Sequence, residues 1–119
     1  ILFVDDEAAI VRLGERMLRR LGYEVTSSTD SLETLALFQS DPQRYDAVVT
    51  DMTMPRMGGD ELAREILAVR PDTPVVLCTG YTQRLSEEAA RVIGIRALIM
   101  KPLSSRELAR TIRDVLDGS

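Results

Sequence analysis

Five short apolar runs, each followed by a helical hydrophobic period, constrain this chain more than any other feature of it. The runs are ILFV (Ile1 to Val4), YEVTSS (Tyr23 to Ser28), DAVVT (Asp46 to Thr50), PVVLCT (Pro74 to Thr79) and ALIM (Ala97 to Met100). Four of them are nearly unbroken hydrophobics, as strands read when both faces of a parallel sheet are covered. The second is half polar and reads as an edge strand. Between the runs, Ile10, Leu13, Met17, Leu18 and Leu21 are spaced for one helix face, as are Leu32, Leu35 and Ala36, then Leu62, Ile66 and Val69. A short helix is predicted from Ser86 to Ile93, with Glu87 and Glu88 near its positive end. The last carries Leu108, Ile112, Val115 and Leu116, opened by Ser104 with Glu107 three residues on, a capping box. Gly22 and Gly94 stand where helices should stop. Strand and helix thus alternate five times, which predicts one α/β domain over residues 1–119 with a parallel five-stranded sheet and helices on both faces.

Composition removes several classes of function. The net charge of −4 gives no electrostatic reason to expect nucleic-acid binding. With no histidine there is no histidine catalysis or histidine-ligated metal, and one cysteine, Cys78, makes neither an internal disulfide nor a zinc cluster. Cys78 reads as a small core hydrophobe suited to a reducing cytoplasm. No run approaches the length of a membrane span, and no signal peptide is visible. The start at Ile1, inside an apolar run, suggests a domain cut from a longer protein.

In a parallel sheet the binding edge lies beyond the carboxyl ends of the strands. Asp5-Asp6-Glu7, Asp51, Thr79-Gly80 and Lys101-Pro102 all follow predicted strands, so the fold gathers three aspartates, a hydroxyl and an ammonium at one edge. Taken singly, each has a plainer reading: acids cap helices, Thr-Gly makes a turn, and a lysine is a solvated surface charge. Taken together, they form a constellation. Close carboxylates raise one another's pKa. A hard divalent cation relieves that conflict, and oxygen ligands suit Mg²⁺. A cation held by Asp6 and Asp51 leaves an Asp51 oxygen able to attack phosphorus. Thr79 and Lys101 can then stabilise the transferring phosphoryl group. Met52, Met54 and Met57 read as packing under the loop, and Gly58-Gly59 as its turn.

With VDDE, TDMTMPRMGG, LCTG and MKPL after the first, third, fourth and fifth strands, essentially the whole chain resembles a receiver domain of two-component signalling. The wording is most similar to receivers attached to hybrid sensor histidine kinases. The resemblance implies a doubly wound, flavodoxin-like (βα)5 sandwich of strand order 2-1-3-4-5. It implies that Asp51 accepts a phosphoryl group from a phosphohistidine of a histidine kinase or histidine phosphotransfer domain. Asp6 would bind Mg²⁺ (or Mn²⁺) directly, Asp5 through water, and the Thr53 backbone carbonyl would complete the protein ligands. Lys101 would pair with the acceptor, Thr79 would swing towards the phosphoryl group, and Lys101-Pro102 would be cis. Thr53 and Tyr81 would tune how fast the phosphoryl group is lost. Leu98 replaces the aromatic that many relatives rearrange, so the switch would work through loop or backbone movement at the face of the fourth helix and fifth strand, near Pro102. Ile10 and Leu13 are either core or part of the surface that docks the histidine-bearing bundle.

The expected whole is a cytoplasmic phosphoacceptor, a monomer or weak dimer. It acts only on its own phosphorylation state, without contact to nucleic acid or membrane, though its parent chain may itself be a kinase. Two alternative readings fit the residues less well. A docking module that works without phosphorylation would need none of these groups. A phosphatase with an aspartate nucleophile needs a second acid, which Asp51-Met52-Thr53 lacks.

Overall fold

A computed structural model describes residues 1–80 and 87–118 of the 119. The elements run β1 (Leu2–Val4), α1 (Ala8–Arg20), β2 (Thr26–Ser28), α2 (Ser31–Ser40), β3 (Val48–Asp51), α3 (Gly59–Val69), β4 (Val75–Thr79), α4 (Glu87–Ile93), β5 (Ala97–Met100) and α5 (Ser105–Leu116), with a 3₁₀ turn at Pro42–Arg44. All strand pairs are parallel, in the order β2-β1-β3-β4-β5. This is the predicted doubly wound sheet, with β2 at an edge. Lys101-Pro102 is cis, as the resemblance implied. The expectations for Tyr81 and Ser86 lie outside the described residues.

Alternation along each strand divides the interior in two. Leu2, Val4, Val48, Val75 and Leu77 face Phe38, Leu62, Ile66 and Ala90 of α2, α3 and α4. Phe3, Val49, Val76, Cys78 and Ile99 face Leu18, Leu108, Ile112 and Val115 of α1 and α5. Every one of these side chains is buried. Cys78 is therefore core, and burial pushes its thiol pKa up to about 12, which leaves it un-ionised.

The helix ends follow the sequence. Gly22 and Gly94 take positive φ, 95° and 105°, where α1 and α4 stop. The Ser104 hydroxyl accepts from the Glu107 N–H at 3.4 Å at the start of α5. Three helix faces differ in part from expectation. In α1 the buried ridge is Val11, Gly14 and Leu18, while Leu21 is 46% exposed. The reason is Gly14: a Cβ there would stand 2.4 Å from the Phe3 ring, so the helix packs on Phe3 through a residue with no apolar signal. In α2 the buried residues are Ser31, Thr34 and Phe38, and Leu32 and Ala36 face solvent. Ser31 and Thr34 can be buried because their hydroxyls donate to the carbonyls of Pro55 (3.4 Å) and Asp30 (2.9 Å). Val69 of α3 is also exposed, whereas Leu62 and Ile66 lie in the core.

Candidate phosphoryl-transfer site

Strand register assembles the site. Val4 pairs with Thr50, Asp51 with Cys78, and Thr79 with Met100. Asp5, Asp51, Thr79 and Lys101 therefore end adjacent strands at one edge. β1 is also where strand order reverses, the switch point at which this class of fold binds ligands. The ladder runs on just past the strands: the Met52 N–H donates to the Cys78 carbonyl at 2.8 Å, and the Lys101 N–H to the Thr79 carbonyl at 2.9 Å.

Lys101 holds the edge together. Its Nζ lies 2.9 Å from Asp5 Oδ2 and 2.9 Å from Asp51 Oδ1. Asp5 is 2% exposed and Asp51 7%, whereas Asp6 is exposed. Asp5 is fully engaged, since its Oδ1 accepts from the Glu7 N–H at 2.9 Å. The resemblance implies a pairing of Lys101 with Asp51; its second bond, to Asp5, joins residues 96 apart in the chain. The Thr79 hydroxyl, itself buried, donates to the Gly80 carbonyl at 3.3 Å.

Electrostatics set the properties of the two central groups. Burial raises the Asp51 pKa; Lys101 offsets part of this, and Asp5 and Asp6 add to the rise. Burial pulls the Lys101 pKa down, but its bonds to Asp51 and Asp5 outweigh that and raise it, so the ammonium stays charged. One oxygen each of Asp5, Asp6 and Asp51 lie within 4.8 Å of one another. Three carboxylates against one ammonium leave two surplus negative charges, matching one divalent cation. The donors are all oxygen, which suits Mg²⁺. The residues present therefore fit that ion.

The raised Asp51 pKa has a consequence for stability. A carboxyl whose folded pKa lies above its unfolded value favours the fold at low pH, and that contribution is lost as pH rises from the unfolded to the folded pKa. At pH 7 without metal, Asp51→Asn should therefore stabilise the fold by about 1 kcal/mol, an ordinary size for one substitution. The gain should shrink as pH falls through the Asp51 titration. Urea unfolding in chelator at pH 7 and at acid pH checks this, and a variant less stable at pH 7 would contradict it.

Among the other predicted residues, Thr53 is exposed on the loop after β3. Leu98 is half-buried against the α3 side of the sheet and lines a cleft of about 330 Å³ with Ala90 and Ile95, while Pro102 is exposed. Ile10 packs against the α1/α5 core; Leu13 is half-buried and is in neither core cluster among the described residues. Gly58-Gly59 forms the cap and first residue of α3, with φ −72° at Gly58, and the left-handed turn before the helix falls on Arg56 instead (φ 69°). Gly59 is needed for close approach: a Cβ there would stand 2.0 Å from the Asp51 carbonyl oxygen. The signal is in the sequence, as a glycine pair at the start of a helix behind Asp51, but a turn explains it equally well.

A family model described as the response regulator receiver domain matches residues 1–113. Among curated proteins, the chain is similar to the probable transcriptional regulator ycf27 of Porphyridium aerugineum, at 36% identity over 98% of this chain and 47% of that protein. It is also similar to the sensor kinase CckA of Brucella abortus, at 30% identity over 98% of this chain and 12% of that protein. The chain thus spans half or less of the length of these relatives. Among solved structures it resembles the receiver domain of the sensor histidine kinase PA1611 from Pseudomonas aeruginosa. That structure has 30% identity and a TM-score of 0.85, with 99% of this chain and 96% of that one covered, and holds a magnesium ion in its active-site cleft.

Proposed function

We propose, since this chain belongs to the family of response regulator receiver domains, that Asp51 is the acceptor in a phosphoryl transfer from a phosphohistidine of a histidine kinase or phosphotransfer domain. The observation that carries this reading is the placement of Lys101 between Asp5 and Asp51 at the switch point, beside the exposed Asp6. An oxygen of Asp51 attacks phosphorus, the bond from phosphorus to the donor imidazole nitrogen breaks, and the electron pair leaves with the imidazole. Burial leaves the Asp51 carboxylate poorly solvated and so reactive, and Lys101 would pass from the Asp51 oxygen to the incoming phosphoryl oxygens. Thr79, on the neighbouring strand, would donate its hydroxyl to the same group.

Asp6, Asp51 and the Thr53 carbonyl would hold Mg²⁺, with Asp5 acting through water. When bound, the ion neutralises charge that the phosphoryl group would otherwise meet from the acids. That CckA is a sensor kinase and PA1611 a sensor histidine kinase supports a place for this domain in a hybrid kinase, and the domain would work in the cytoplasm. No helix among the described residues is long and apolar enough to cross a membrane. Residues 1–119 would act as one receiver unit. Phosphorylation would bias two arrangements of the α4/β5 face, where Leu98 and Pro102 lie, and Leu13 with Ile10 would meet the partner bundle.

Intact-mass analysis after incubation with acetyl phosphate and Mg²⁺, with a chelated control and peptide mapping, tests this reading. One phosphoryl group on Asp51, needing the metal, is expected. If no adduct forms and no stable beryllofluoride complex forms either, the phosphoacceptor reading fails. Lys101→Ala should bind Mg²⁺ as the parent does and label on the order of a hundredfold more slowly, the usual cost of removing a group that stabilises developing charge. Equal labelling rates would remove Lys101 from the mechanism.

A further inference from the structure

The loop between β3 and α3 carries a conformation that its sequence does not require. Arg56 has φ 69°, and the Met57 N–H donates to the Pro55 carbonyl at 2.7 Å, a three-residue turn about a left-handed arginine. Turns of this hand are rare and strained for any residue but glycine. Strain of this kind is a pointer to function when the surroundings over-determine it.

The surroundings of Arg56 do so. Its guanidinium donates to Asp30 Oδ2 at 2.5 Å. Asp30 is a fixed anchor: its N–H donates to Ser28 Oγ at 3.0 Å, its Oδ1 accepts from the Leu32 N–H at 2.9 Å, and its carbonyl accepts from the Thr34 N–H at 2.9 Å. The Ser31 hydroxyl reaches the Pro55 carbonyl as a second tie to the same turn. At the other end of the loop, the Gly59 N–H donates to the Met52 carbonyl at 2.7 Å and Met54 is buried. Thr53 lies between these anchors.

As a stabiliser the pair is a poor bargain. The Arg56 side chain is 61% exposed, and ion pairs at such exposure contribute little. The left-handed backbone costs at least as much. Net folding energy does not explain the arrangement, whereas positioning does. We infer that the Arg56–Asp30 tie is a clamp that holds the loop after Asp51 in the shape that presents the Thr53 carbonyl to a divalent cation. Arg56 is then a positioning residue. The inference rests on the phosphoacceptor reading for its purpose, but not for its test.

The test compares Arg56→Gly, Asp30→Asn, the double variant and Arg56→Lys with the parent protein. The readouts are Mg²⁺ affinity, from NMR titration of the Asp6 and Asp51 amides, and stability in urea. Arg56→Gly and Asp30→Asn should each weaken Mg²⁺ by about tenfold, the low end for losing an outer-shell partner. The double variant should lose no more than either, because one tie is cut in each. Arg56→Gly removes the strain with the tie, so its urea midpoint should hold or rise while its affinity falls. Arg56→Lys keeps a donor to Asp30 and should bind nearly as the parent does. Unchanged affinity in Arg56→Gly, or affinity and stability falling together, would overturn the clamp, as would a parent that binds no Mg²⁺. A parent that binds Mg²⁺ with this pattern of variants but takes up no phosphoryl group would sink the phosphoacceptor reading and leave the clamp standing.

Discussion

Asp51→Ala should take up no phosphoryl group from acetyl phosphate, a loss on the order of a hundredfold or more, as expected when the attacking atom itself is removed. Two other aspartates lie within reach of the same edge, so the size of the loss depends on whether either can take over. Asp5 cannot without losing its place, since Oδ1 holds the Glu7 N–H and Oδ2 holds Lys101, and the side chain is 2% exposed. Asp6 is exposed and well solvated, which makes its carboxylate a weaker nucleophile than the buried Asp51. The variant should stay folded, because removing one of three crowded carboxylates lowers repulsion and Lys101 keeps Asp5 as a partner. Intact mass and peptide mapping on the folded variant decide the matter. Labelling at the parent's level, at the same residue that is labelled in the parent, would show that Asp51 is not the acceptor.

The parts of this site that were legible in the sequence are those fixed by strand order. Asp5, Asp51, Thr79 and Lys101 each follow an apolar run, and a parallel sheet puts all such ends on one edge. The near-continuous apolar runs gave the strands, because a strand covered on both faces has no polar side to blur it. The edge strand was less clear: the run read from Tyr23 forms a strand only over Thr26–Ser28. Helix faces were legible where large apolar residues do the packing, as with Leu108, Ile112 and Val115, and not where small or polar residues do. Gly14 on Phe3, and Ser31 and Thr34 under their own carbonyl partners, carry no hydrophobic signal. The ties that shape the site were illegible for another reason. Lys101 to Asp5 and Arg56 to Asp30 span 96 and 26 residues, and nothing in a local pattern selects one arginine and one aspartate from so many.

Gly59→Ala should be the most disruptive single-methyl change in the chain. Its Cβ would meet the Asp51 carbonyl oxygen at 2.0 Å and Leu77 Cδ1 at 2.8 Å. The first of these is backbone in a central strand, paired on both sides and unable to rotate away. Alanine gains about 1 kcal/mol over glycine in a helix. Overpacking of a buried site typically costs about 1–3 kcal/mol and more when backbone must move, so the clash wins. A net loss of about 2 kcal/mol or more in urea unfolding is expected. Relief by sliding α3 away would break the Gly59 N–H bond to the Met52 carbonyl and shift the loop that follows Asp51. Labelling per folded molecule should therefore fall as well. Gly58→Ala is the control one residue away, where the nearest atoms are Asp60 Oδ1 at 2.9 Å and the Met52 carbonyl at 3.2 Å. The end of a side chain can move aside, so this variant should lose no more than about 1 kcal/mol, typical of a surface-proximal change. If the two variants proved equally stable, the close approach of α3 to the Asp51 carbonyl would not be what requires glycine at position 59.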